Sequence, residues 1–184
     1  MNMSADVEKD TNGRDVIFER ASVRAFTDAP VSDEQARLLL RAAMAAPSAG
    51  NQQPWEFFVV RDPQMLAKLA GCSPYAKPTA KAPCCIVPCL RTQGLRFPGC
   101  ASQDMGACVE NILLEATRLG LGAVWQAIYP EPERMQAARE VPGLGDDLEA
   151  FCLIAIGTPA SEVHAKGADR YDESRVRWVD GERA

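Results

Sequence analysis

Helix-like and strand-like stretches alternate along this chain without a strict βαβ rhythm, which predicts one domain mixing α and β structure. Three observations carry that reading. The 184 residues suit a single domain of ordinary size. A composition 47% hydrophobic and 24% charged belongs to a chain with a real core rather than a disordered one. Apolar residues recur at helical spacing in some windows and in compact β-branched or aromatic runs in others.

Residues 1–13 are polar and lack the apolar stretch of a signal peptide, so they are expected to form a flexible N-terminal tail ahead of a single domain over 14–184. A helix is predicted over 32–46. Ser32 can cap it, Gln35 completes a capping box, and Ala36, Leu39, Leu40, Ala43 and Met44 form an apolar stripe that Pro47 ends. Trp55 to Val60 reads as a strand. Asp62-Pro63 opens a short helix that Gly71 closes. Cys84 to Leu90 is a second strand, in which Pro88 suggests an edge or an irregularity.

The loop from Arg91 to Ser102 carries Gly94, Pro98 and Gly99. A long helix follows, from about Gln103 to Leu119, with apolar positions on so many sides that burial on more than one face is expected. Gly120 stands where a helix C-cap glycine is expected. Ala123 to Ile128 reads as a third strand, Pro132 to Glu140 as a short surface helix, and Phe151 to Ile156 as a fourth strand ended by Gly157.

Several function classes lack their signals. The net charge of -5 offers no basic stripe for nucleic acid. No apolar run is long enough to predict a transmembrane helix. No G-x-G-x-x-G follows a strand, and no P-loop or G-x-S-x-G elbow occurs. The one histidine, His164, lies in a polar stretch, so a Ser-His-Asp or Cys-His device is hard to build. Seven cysteines, an odd number without C-x-x-C, argue for a reduced cytoplasmic protein and against a metal site. Cys84, Cys85, Cys89 and Cys152 fall in apolar runs where a thiol packs as a small hydrophobe. Cys100, in a glycine- and proline-bearing loop, is the thiol to test for reactivity. The chemistry is expected to need a borrowed cofactor.

Three segments could hold one. In E-R-A-S-V-R-A-F, residues 19–26, extended backbone puts Arg20, Ser22 and Arg24 on one face, where two guanidiniums and a hydroxyl suit a phosphate. A solvated basic edge would look the same. In A-P-S-A-G-N-Q-Q-P-W, residues 46–55, Ser48, Asn51, Gln52 and Gln53 offer both donors and acceptors, as a heterocycle or polyol requires. A turn that only satisfies its own backbone would carry the same residues. In G-L-G-A-V-W-Q-A, residues 120–127, glycines allow close backbone approach to a flat ligand, or make an ordinary helix-to-strand turn.

Together, R-A-S-V-R-A-F, A-P-S-A-G-N-Q-Q-P-W-E-F-F-V-V, Q-D-M-G-A-C-V-E-N-I-L-L-E-A, G-L-G-A-V-W and I-A-I-G-T-P, in that order over roughly residues 16–160, resemble the nitroreductase family of FMN oxidoreductases. The resemblance implies an α+β fold with a mixed central β-sheet flanked by helices, built as an intertwined homodimer with FMN at the subunit interface. It implies that Arg20, Ser22 and Arg24 hold the phosphate and ribityl end of the cofactor. Arg24 is also placed to reach the ring's pyrimidine side. Ser48, Asn51 and Gln53 would come from the neighbouring subunit. The backbone around Trp125, Gln126 and Ala127 would face the isoalloxazine. Arg170 would return to the phosphate, with Lys166 and Arg175 as rivals.

By the same resemblance, NADH or NADPH is the electron donor, and an electron-poor acceptor (nitroaromatic, quinone or enone) is reduced in a ping-pong cycle. No catalytic side chain is required beyond the flavin. The family also includes enone reductases, dehalogenating enzymes and a flavin-cleaving enzyme, so the acceptor stays open. The stretch from Pro74 to Ala82 and the loop from Arg91 to Ser102 are expected to shape the acceptor pocket, with Tyr75 and Phe97 as candidate lining residues. The rival expectations are a non-enzymatic flavin-binding or sensing protein of the same fold, and a cysteine-based redox or metal protein.

Overall fold

The computed structural model describes residues 15–162 and 170–179. The expected tail over residues 1–13 lies outside them, as do His164 and Lys166. Among the described residues the elements run α1 (Val16–Glu19), α2 (Asp33–Met44), β1 (Trp55–Val60), α3 (Pro63–Gly71), β2 (Cys84–Arg91), α4 (Ala101–Arg118), β3 (Gly122–Ala127), α5 (Pro132–Glu140), β4 (Leu148–Ala150) and β5 (Cys152–Gly157).

Local chemistry explains most of the boundaries. Ser32 Oγ accepts from the Gln35 N–H while Gln35 Oε1 accepts from the Ser32 N–H, so the capping box at the start of α2 is complete. Asp62 caps α3 by accepting from the Met65 N–H at 2.9 Å. At the end of α4, Gly120 takes φ 72°. The Leu121 N–H then reaches the Ala116 carbonyl and the Gly120 N–H reaches the Thr117 carbonyl, the paired bonds of a Schellman motif.

The strands order as β1-β2-β5-β3, with β4 also paired to β2. All of these pairs are antiparallel; the parallel contact is an isolated bridge from Ser22 to Ala123. β2 is therefore interior, and of the two readings of Pro88 the irregularity is the one realised. Ile86 faces Ile154 of β5, but Cys89 faces Ala150 of β4, so one extra residue sits on the β4–β5 side. Phe151 donates its N–H to the Pro88 carbonyl at this bulge. The N–H that proline lacks therefore falls where the ladder is already broken.

The sheet separates two cores. On one face, Cys84, Ile86, Leu90, Cys152, Ile154 and Ile156 pack against Leu39 and Ala43 of α2 and Met105, Val109, Ile112 and Ala116 of α4. On the other, Cys85, Val87, Cys89 and Leu153 pack against Leu66 and Leu69 of α3 and Ala138 of α5. The change of face at each step along β2 is the alternation a strand buried on both sides requires. Helix α4 is buried at eight positions, and its buried apolar side chains all join the first of these cores rather than facing two. The unpredicted elements are short: one turn at α1 and three residues at β4.

Candidate functional site

The segment from Arg20 to Phe26 runs along the outer edge of β3. The Val23 N–H donates to the Ala123 carbonyl at 3.0 Å, and Phe26 bridges to Pro159 beyond β5. This approach depends on Gly122: a Cβ there would lie 2.6 Å from the Val23 side chain. That is the close approach its glycine serves in the described residues. Ser22 and Arg24 are exposed, and Arg20 is half-buried. Arg20 Nε lies 3.2 Å from Glu110 Oε1 on α4, a partner that no local pattern announced. Arg24 Nη1 donates to the Ser22 carbonyl at 3.3 Å.

β3 is an edge strand, and its backbone direction can be read from the Ala123 carbonyl, which points away from β5 to meet Val23. Backbone groups of alternate residues point the same way. Those of Trp125 and Ala127 are therefore turned to the open edge, while Gln126 pairs with β5. The Gln126 side chain is also turned inward: its Oε1 accepts from the Thr79 hydroxyl at 2.6 Å, it is 2% exposed, and its Nε2 is buried without a hydrogen-bond partner. Of the three residues expected to face the ligand, Trp125 and Ala127 turn their backbone groups to the open edge, and the Gln126 side chain braces the strand from beneath. The Trp125 ring, 36% exposed, leans on Phe151 with centroids 5.8 Å apart.

The polar loop is ordered by bonds from three directions. Ser48 Oγ accepts from the Gln53 N–H at 3.0 Å, and Gln53 Nε2 donates to Asn51 Oδ1 at 3.0 Å. Arg91 Nη2 donates to the carbonyls of Gln52 and Gln53 at 3.0 and 2.7 Å. Asp104 of α4 accepts from the Ala49 N–H and from Gln52 Nε2. Gln52 thus faces inward, whereas Asn51 and Gln53 are exposed. Asn51 and Gln53 hold positive φ, 56° and 46°, in the left-handed region that non-glycine residues seldom occupy. Such conformations persist where surrounding structure over-determines them, and they concentrate at ligand sites.

These two groups of residues are brought together separately. Arg20, Ser22, Arg24, Trp125 and Ala127 line the β3 edge, whereas Ser48, Asn51 and Gln53 precede β1 at the opposite edge of the sheet. Three strand spacings, about 14 Å, separate those edges. Arg170 is exposed, just beyond the segment outside the described residues. Its rival Arg175 is paired with Asp172, Nε to Oδ2 at 3.0 Å.

The cysteines follow their burial. All seven are free thiols, and six are buried. Burial pushes Cys89 and Cys108 up to about 12, and raises Cys72, Cys84, Cys85 and Cys152 above the ordinary thiol range. Cys100 is the partly exposed one, at the start of α4. Among the described residues no group of His, Cys, Asp or Glu is arranged to hold a metal, and no helix is long and apolar enough to cross a membrane.

Comparison with known proteins places this geometry. The family model described as the nitroreductase family matches residues 17–73 and 73–158. A protein of Archaeoglobus fulgidus named as a candidate NADH dehydrogenase/NAD(P)H nitroreductase is 40% identical over 163 residues, covering 88% of this chain and 94% of its own length. The crystal structure of a candidate NADH oxidase from Clostridium acetobutylicum superposes with TM-score 0.85 at 41% identity, over 91% of this chain and 100% of that one. A candidate nitroreductase from Desulfovibrio desulfuricans, crystallised in complex with FMN, superposes with TM-score 0.75 at 32% identity, over 90% of this chain and 95% of that one.

Proposed function

The chain belongs to the nitroreductase family, and on that premise we propose that it is an FMN-dependent oxidoreductase acting as a homodimer. It takes hydride from NADH or NADPH and reduces an electron-poor acceptor, a nitroaromatic, quinone or enone, in a ping-pong cycle at one site.

The observation that carries this reading is the division of the polar residues between opposite sheet edges. The β3 edge offers a phosphate-binding set beside open backbone groups but lacks the carboxamides. The 48–53 loop offers carboxamides but has no phosphate set beside it. Two copies exchanging edges complete both sites. Exposed apolar side chains are consistent with a covering partner: Phe18 is 58% exposed, Met44 52% and Trp178 75%.

The residues fit FMN. The Arg20 and Arg24 guanidiniums with the Ser22 hydroxyl suit a phosphate dianion and the ribityl chain beside it. Outward backbone groups at Trp125 and Ala127 suit the polar edge of a planar ring. Asn51 and Gln53 of the neighbouring copy supply the mixed donors and acceptors of a heterocycle's rim. Arg170 adds a late positive charge for the phosphate. Bound FMN would supply the hydride chemistry, which no side chain here can perform. The protein's share is to orient the ring, keep one face open to donor and acceptor in turn, and stabilise negative charge near Arg24. Water supplies the protons, since no acid-base side chain is assigned. Free thiols throughout suit a reducing, cytoplasmic setting.

Anaerobic stopped-flow mixing tests the reading. Flavin absorbance of the purified protein should bleach on adding NADH or NADPH, and should return on adding a nitroaromatic, a quinone or an enone. A yellow dimer whose flavin neither nicotinamide reduces would instead be a binding or sensing protein.

A further inference from the structure

Phe97 is an exposed aromatic ring held unusually firmly. Its N–H donates to Gln52 Oε1 at 2.9 Å and its carbonyl accepts from Gln52 Nε2 at 3.0 Å, so one carboxamide closes a two-bond pair on its backbone. The same Nε2 also donates to Asp104 Oδ2 at 2.7 Å, which anchors the pair to α4. The ring edge lies over Gly50, where a Cβ would come within 2.4 Å of Phe97 Cε2. Arg96 sets its guanidinium over the ring, 5.1 Å from the centroid. Both residues are exposed, Phe97 at 39%. A ring fixed by three polar contacts and a glycine, yet left facing solvent, gains little from core burial.

Two guanidiniums, those of Arg91 and Arg96, belong to this loop and its neighbour. Arg91 lies behind the loop with its guanidinium on the carbonyls of Gln52 and Gln53. The Asp104 carboxylate is buried, with both oxygens occupied by Ala49 and Gln52. The exposed cation beside the ring is Arg96.

We propose that Arg96 and Phe97 form the acceptor-reading element of the site: the phenyl ring stacks on a planar acceptor while the guanidinium pairs with an anionic substituent on it. The preferred acceptors are therefore aromatic and negatively charged. This rests on the reading that Asn51 and Gln53 reach the neighbouring copy's cofactor, because Phe97 touches the same loop at Gly50. An anionic group on the donor, the additional phosphate of NADPH, has the same chemistry as a carboxylate, and the test separates the two.

The FMN-loaded dimer is assayed with 4-nitrobenzoate and 4-nitrobenzamide, which differ in charge and little in shape, with rates taken per bound flavin. In Arg96→Ala the ratio of kcat/KM for the benzoate to that for the benzamide should fall about threefold to fivefold. Arg96→Lys should keep most of that ratio. Phe97→Leu should lower kcat/KM for both nitroaromatics relative to a non-aromatic enone. A ratio unmoved by Arg96→Ala overturns the proposal. So does a loss confined to NADPH relative to NADH, which would assign the charge to the donor. Failure of both nicotinamides to reduce the flavin removes the parent reading and this one with it. Normal reduction with an unmoved ratio removes this one alone.

Discussion

Gln52 Nε2 and Asp104 Oδ2, 52 residues apart in sequence, meet at 2.7 Å and tie the polar loop to the longest helix. The other Asp104 oxygen accepts from the Ala49 N–H at 3.0 Å. Asp104→Ala would leave the Ala49 N–H without its acceptor and the Gln52 carboxamide with the Phe97 carbonyl alone, in a partly buried place. The expected loss is about 2–4 kcal/mol of unfolding free energy, since bonds to a charged group are worth about 1.5–3 kcal/mol each. Asp104→Asn keeps one acceptor oxygen and should recover part of it. Urea unfolding checks this; a change in Asp104→Ala no larger than that of a neutral surface substitution would mean the loop does not depend on this anchor.

Arg20 offers a separation of affinity from stability. Its ion pair with Glu110 is partly exposed, with side chains 30% and 47% accessible, so removing it costs at most about 1 kcal/mol of stability. If the same guanidinium grips a phosphate, Arg20→Ala should weaken FMN binding about tenfold or more. A fluorescence titration of the apoprotein with FMN reads the affinity and a thermal melt reads the stability. Equal flavin affinity in wild type and variant would return Arg20 to a surface ion pair.

What could be read from the sequence divides along the range of the forces involved. The start of α2, the cap of α3 and the Schellman end of α4 are set by residues three to six positions apart, and each falls where Ser32, Asp62 and Gly120 indicate. The strand β4 is invisible because three residues have no periodicity to read, and only pairing with Cys89 to Arg91 defines them. In the site, composition marked the loop as polar. It could not distinguish the inward Gln52 from the outward Asn51 and Gln53, since that choice is made by Asp104 and Phe97 from distant parts of the chain. The direction of the Gln126 side chain is set in the same way, by a hydrogen bond from Thr79, 47 residues away in sequence.

The buried thiols predict an alkaline weakness. Cys89 and Cys108 are pushed up to about 12 by burial in the fold, against an ordinary value of 9.0. Above that ordinary value the unfolded chain releases these protons while the folded chain keeps them. Their contribution is therefore complete below about pH 9 and is lost as pH rises toward 12, at about 1.4 kcal/mol per pH unit for each thiol. The urea midpoint should fall between pH 8 and pH 10, and Cys108→Ala should make that fall shallower. A midpoint with the same pH slope in both proteins would contradict the assignment. In the native protein at pH 8, Cys100 should be the thiol that a maleimide labels first, with the other six labelled only after unfolding.

Gly122 controls whether the phosphate segment can dock at all. The Val23 side chain occupies the space a Cβ at position 122 would take, at 2.6 Å, and Val23 carries the backbone bond that holds the segment to Ala123. Gly122→Ala removes none of the proposed ligand-contacting side chains but forces the segment off the strand. Overpacking of this kind costs about 1–3 kcal/mol, and relief by outward movement of residues 20–24 would misplace Arg20, Ser22 and Arg24 together. FMN affinity should therefore fall further in Gly122→Ala than in Arg24→Ala, although no charge is removed. The double variant Gly122→Ala with Val23→Gly should regain much of the affinity, because it removes the Val23 Cβ as well as its two methyl groups and so restores the space. An affinity that stays low in the double variant would show that the glycine serves the ligand directly rather than the docking of Val23, and the close-approach account given for it would fail.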